Sequence, residues 1–110
     1  MNKIEIQSVH FKASVQLKKY VKEKVSKLFD QDDSILRADV TLFEGASGSP
    51  VNRFCEIQLS VSGDNHFVKK NTDSYKKSVL SAVEALQQVL HRKKIKEISK
   101  RRKSKRKIVS

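Results

Sequence analysis

The sequence predicts an α/β (α+β) fold: a two-layer sandwich in the order β-α-β-β-β-α, with a four-stranded sheet covered on one face by both helices. Three observations carry this reading. Four segments alternate apolar and polar residues, two segments repeat at helical spacing, and the outward strand positions read as polar. With one sheet face wet, both helices must cover the other. The first two strands are joined through a helix, so they should be parallel if adjacent, with a right-handed crossover.

The elements follow in order. Lys3 to Val9 alternates, with Ile4 and Ile6 on one side and Glu5 and Gln7 on the other. Ser14 is placed to cap a helix. From Val15 to Phe29 the period changes: Leu17, Val21, Val25 and Leu28 form one helical face. Asp30 to Ser34 is a polar break. Leu36 to Glu44 alternates again, with Leu36, Ala38, Val40 and Leu42 expected inward. Gly45 to Pro50 is a loop joining antiparallel strands. Val51 to Ser62 supplies the partner strand, with Cys55, Ile57, Leu59 and Val61 inward. Gly63-Asp64-Asn65 reads as a tight turn, and His66 to Asn71 as a short strand anchored inward by Phe67. Thr72, Asp73 and Ser74 can cap the last helix, whose apolar face is Tyr75, Val79, Val83, Leu86 and Leu90.

The charge is unevenly spread. The 110 residues carry 24 Lys and Arg against 12 Asp and Glu, a net of +12. From His91 to Ser110 there are eleven basic residues and one acid, a net of +10, which leaves +2 for the first ninety. A folded domain is therefore expected over residues 1–98, followed by a basic, disordered tail over 99–110. Arg101 to Lys107 reads RRKSKRK, and like charges this dense stay solvated until a polyanion arrives. One Cys excludes an internal disulfide framework. No apolar run reaches the roughly 18–20 residues of a membrane-spanning helix, and the N-terminus lacks the apolar stretch of a secretory signal. The expectation is a cytoplasmic protein with no membrane partner.

Catalytic chemistry finds little footing. His10, His66 and His91 belong to no H-x-x-x-H or C-x-x-C pattern, so no metal site is expected. Cys55 falls on an inward strand position and reads as a buried, inert thiol. Asp32-Asp33 lies in a helix-ending loop, where turn chemistry explains it. No glycine-rich phosphate loop is present. The sequence implies no enzyme, no cofactor and no small-molecule substrate.

The basic residues are the informative class. Lys18, Lys19, Lys22, Lys24 and Lys27 crowd the first helix, where Glu23 is the only acid between Val15 and Phe29. A solvated helix face ordinarily mixes in more acids. Lys76 and Lys77 mark the start of the second helix. Arg92, Lys93, Lys94 and Lys96 mark its end, and Arg101 and Arg102 open the terminal run. Such a surface reads phosphates and helix shape with little base specificity. Tyr20 and Tyr75 are the candidates for stacking, but core packing accounts for both. That favours structured RNA over a single-strand platform.

IEIQSVHFKAS, LKKYVKEKVSKL, the SYKKSVLSAVEAL helix and the Lys-rich end resemble the short ribosome hibernation promoting factors, also called ribosome-associated translation inhibitors. The resemblance covers about residues 1–98. Its most specific pieces are Leu17, Tyr20, Val21, Lys24, Lys27 and Leu28 on the first helix and Ala82 to Leu86 on the second. It implies a monomer off the ribosome that binds the small ribosomal subunit and the whole ribosome. There it would fill the mRNA and tRNA channel and silence translation in stress or stationary phase. It also implies rRNA contacts from Lys18, Lys24, Lys27, Arg92, Lys93, Lys94 and Lys96.

Three features depart from the family pattern. Gln87-Gln88 stands where basic residues are usual. Ser74-Tyr75-Lys76 replaces an acidic-Met-Tyr helix start. The tail is basic, whereas one branch of short inhibitors ends in an acidic extension, and 110 residues leave no room for the dimerisation domain of the long forms. Two other readings fit the basic composition: a general structured-RNA or DNA-binding module, and a small structural ribosomal protein.

Overall fold

The computed structural model describes residues 3–46 and 48–109, with side chains of the last helix described as far as Arg92. The elements are β1 (Ile4–Val9), α1 (Val15–Gln31), β2 (Ile35–Glu44), β3 (Arg53–Val61), β4 (Asp64–Thr72) and α2 (Tyr75–Val109). They form one four-stranded sheet in the order β1-β2-β3-β4. β1 pairs parallel with β2, as a helical crossover requires, and the two hairpins that follow are antiparallel. The α+β sandwich expected from the periodicity is the fold observed.

α1 packs over β1 and β2, α2 packs over β3 and β4, and the helices pack on each other. The alternation dictates this arrangement. Ala38, Val40 and Leu42 on β2 and Cys55, Ile57 and Leu59 on β3 are buried toward Val21, Val25 and Leu28 of α1 and Val79, Val83 and Leu86 of α2. The helix periods likewise place Leu17 and Tyr20 against this core and Leu90 within it.

Local chemistry sets the element ends. Ser14 caps α1, its side chain accepting from the Leu17 backbone N–H at 3.1 Å. Ser74 does the same for α2, accepting from the Lys77 N–H at 3.2 Å. Leaving β1, His10 takes a left-handed φ of 64°, a conformation in which histidine is over-represented. Buried Ser78 ties the start of α2 to the sheet, its hydroxyl lying 2.6 Å from the Arg53 carbonyl oxygen and 2.8 Å from Thr72 Oγ1.

The strands differ from the periodic reading in three places. Leu36 is 63% exposed, and Ile35 takes the core position instead. The β2–β3 register shifts between Ile35 and Arg37, so Leu36 is the extra residue of a bulge and alternation fails there. Phe67 is 55% exposed, and Val68 packs on the core in its place. Phe67 pairs with outward-facing Gln58, and Val68 with buried Ile57. The turn after β3 is also tighter than expected: it is centred on Ser62-Gly63, and Asp64 and Asn65 already pair with β3. β4 therefore runs for nine residues.

The outer sheet face is not polar on every strand. Phe43 and Phe54 stack there with ring centroids 4.9 Å apart and planes 5° apart. Lys69 Nζ lies 5.6 Å and 5.1 Å from the two centroids. Arg37 and Asp39 form an ion pair on the same face.

Candidate nucleic-acid interface

Topology sets the direction of both helices. β1, β2 and β4 run the same way, so α1 and α2 both begin at the end of the sheet where β1 and β4 finish. Two contacts fix their alignment. Lys76 lies over the Tyr20 ring, and Gln31 Nε2 donates to the Gln87 carbonyl at 2.9 Å. Both contacts span 56 positions, so the helices are parallel and in step. Neither has an acid in its first turn, and the one carboxylate beside these ends is Asp73, just before the α2 cap, which pairs with Lys77.

The expected basic residues divide into groups. Lys18, Lys22 and Lys27 are exposed on α1, and none forms an ion pair among the described residues. Lys24 is half-buried, its Nζ 5.5 Å from the Tyr20 ring centroid. Lys76 reaches the same ring from α2 at 5.6 Å. Lys77 is different: Asp73, one turn earlier, holds its Nζ at 3.1 Å and offsets its charge. Arg92 is exposed far along α2. Lys93, Lys94, Lys96, Arg101 and Arg102 lie outside the described side chains.

The space between the helices is not uniformly basic. Gln31, Glu84, Gln87, Gln88, His91 and Arg92 line a hollow beside the end of α1. Gln87 and Gln88, the departure visible in sequence, therefore sit beside an acid, Glu84, in a hollow with no lysine in its lining. Lys24 and Lys76 lie at one end of it, His91 and Arg92 at the other. Both tyrosines are anchored against the core rather than free as stacking platforms. Tyr75 stacks on Phe11 at 4.7 Å, with the Arg53 guanidinium 5.4 Å from its ring.

Three residues escaped the sequence reading. The role of Tyr20 as a shared seat for two lysines was not legible, because Lys76 is 56 positions away. Lys69 and Arg53 fall within strand segments, yet Lys69 lies over the Phe43 and Phe54 rings and Arg53 over Tyr75. No periodic signal marks such contacts.

The described residues include no cluster of three or more His, Cys, Asp or Glu able to hold a metal ion. Burial pushes the Cys55 thiol up to about 12, with the nearby Glu56 charge adding to the effect, so the thiolate is strongly disfavoured. No described helix is long and apolar enough to cross a membrane.

The class the fold and surface define is a small α+β domain with a lysine-rich helical layer over a compact core. Residues 4–97 match the family described as Sigma 54 modulation protein / S30EA ribosomal protein, and the chain belongs to that family of ribosome-associated factors. Solved structures agree in fold. The Thermus thermophilus Protein Y N-terminal domain superposes with a TM-score of 0.70 at 23% identity, covering 84% of this chain and 98% of that one. A ribosomal subunit interface protein from Coxiella burnetii gives 0.74 at 15% identity, covering 86% and 99%. No curated protein matches the chain in sequence.

Proposed function

We propose that this protein is a ribosome hibernation factor of the cytoplasm. Its helical layer would bind small-subunit rRNA in the channel used by mRNA and tRNA and block translation during stress or stationary phase. The observation that carries the reading is the family match across residues 4–97. The exposed lysines of α1 support it, because they form no ion pair among the described residues and so remain available to phosphate. The mechanism is occupancy: no bond is made or broken, and the bound domain excludes tRNA and mRNA by volume and charge. Residues 1–98 form the binding domain. Lys18, Lys22, Lys24, Lys27, Lys76 and Arg92 contact phosphate, with Lys77 weaker because Asp73 already holds it. Lys93, Lys94, Lys96, Arg101, Arg102 and the basic 99–110 segment extend the contact. Off the ribosome the protein is a monomer.

Sedimentation tests this directly. Purified protein mixed with ribosomes on a sucrose gradient should travel with small subunits and whole ribosomes, and occupied A and P sites should displace it. Co-occupancy of one small subunit with initiator tRNA would refute the exclusion mechanism. Protein left at the top of the gradient while it binds duplex RNA would favour a general structured-RNA module instead.

A further inference from the structure

Tyr20 is the point where the two helices bring their charges together. Its ring is packed against the core on one side. Lys24, one turn later on α1, places Nζ 5.5 Å from the ring centroid, and Lys76, in the first turn of α2, places Nζ at 5.6 Å. The ring attracts both ammonium groups through its quadrupole and neutralises neither. Neighbouring Lys77 is held by Asp73, whereas Lys24 and Lys76 form no ion pair among the described residues. Two full positive charges from separate helices are thus gathered on one aromatic seat.

We infer that Tyr20 is a positioning residue that holds Lys24 and Lys76 as a two-lysine clamp for backbone phosphate of structured RNA. The inference rests on the proposed rRNA contact of the helical layer and adds which cations act as a unit and what orders them. A free lysine surrenders rotamer freedom when it grips a phosphate. A lysine already resting on a ring has surrendered part of it. The two ammonium groups repel each other, and a phosphate received between them relieves that repulsion. The phenol hydroxyl plays no part, so Phe can replace Tyr20, whereas an aliphatic side chain of similar bulk cannot.

The test measures affinity of the full chain for purified small ribosomal subunits at one fixed salt concentration. Tyr20→Leu should weaken binding about 4–25-fold, from roughly two- to fivefold for each lysine released. Tyr20→Phe should stay within about twofold. Lys24→Gln and Lys76→Gln should each weaken binding in the Tyr20 protein and cost much less in the Tyr20→Leu background. Proton NMR of the free protein supplies a readout that mere packing would not move. The ε-methylene protons of Lys24 and Lys76 should be shifted upfield by the ring in the parent and Tyr20→Phe proteins. Ordinary lysine shifts in the parent would overturn the clamp even if Tyr20→Leu failed to fold. Full affinity of a folded Tyr20→Leu protein would also overturn it while leaving ribosome binding intact. A parent protein that does not bind small subunits would remove the functional reading and the clamp together.

Discussion

Replacing Gly45 with alanine sets two opposite effects against each other. A Cβ built on Gly45 would clash with Phe54 Cε1 and lie 3.0 Å from Cδ1, so the ring must move. That ring stacks on Phe43 and carries Lys69, so it is constrained on the outer sheet face. Overpacking of this kind costs about 1–3 kcal/mol, and a disturbed aromatic pair forfeits up to about 1 kcal/mol more. Against this, Gly45 is not among the glycines with positive φ, so alanine suits its backbone. Reducing the freedom of the unfolded chain should then stabilise by about 0.4–1 kcal/mol. The steric effect is larger, and the net expectation is a loss of about 1–2 kcal/mol. For a domain of this size that lowers Tm by about 5–15 °C. Urea and thermal denaturation of Gly45→Ala, Phe54→Ala and the double variant measure it. With the ring gone, Gly45→Ala should change sign and become mildly stabilising. An equal cost in both backgrounds, or a neutral Gly45→Ala in the parent, would show that contact with Phe54 does not govern the position.

Two further predictions concern charge and titration. Converting Lys18, Lys22 and Lys27 together to Gln should leave Tm nearly unchanged, because these side chains are exposed and form no ion pair among the described residues. The dependence of log K on log salt for small subunits should become shallower by ~0.9 for each phosphate no longer neutralised, and an unchanged slope would remove these lysines from the interface. Cys55 should resist thiol reagents near neutral pH and react fully once the chain is unfolded. Its folded value is raised from 9.0 to about 12, so the unfolded chain ionises first and stability should decline as pH climbs through that window. Cys55→Ala should flatten that part of the pH–stability curve; an unaltered curve would mean that other groups control it.

Much of the architecture was legible in the chain because it rests on period. Val21, Val25 and Leu28 repeat at helical spacing, Val40 and Leu42 alternate, and burial follows both patterns. The parallel β1–β2 pair was legible too, since a helix between two adjacent strands requires it. The failures at Leu36 and Phe67 have different causes. A bulge inserts a residue that periodicity cannot count, and the facing of an edge strand is set by its partner's register.

For the candidate site, sequence alone determined the inventory: a lysine-rich first helix with a single acid between Val15 and Phe29, a basic C-terminal end, and Gln87-Gln88 where the family is usually basic. Charge and residue type are properties of the chain before it folds. Tertiary structure decided which charges converge. The Asp73–Lys77 pair is local, four positions apart, whereas Lys76 reaches the ring of Tyr20 beside Lys24 only because α2 packs on α1. The parallel alignment of α1 and α2 sets Gln31 against Gln87, so a hollow lined by Glu84 and three glutamines separates the basic ends of the helical layer. Pairs this far apart meet only after the sheet has fixed the helix directions, and local pattern contains no record of that distance.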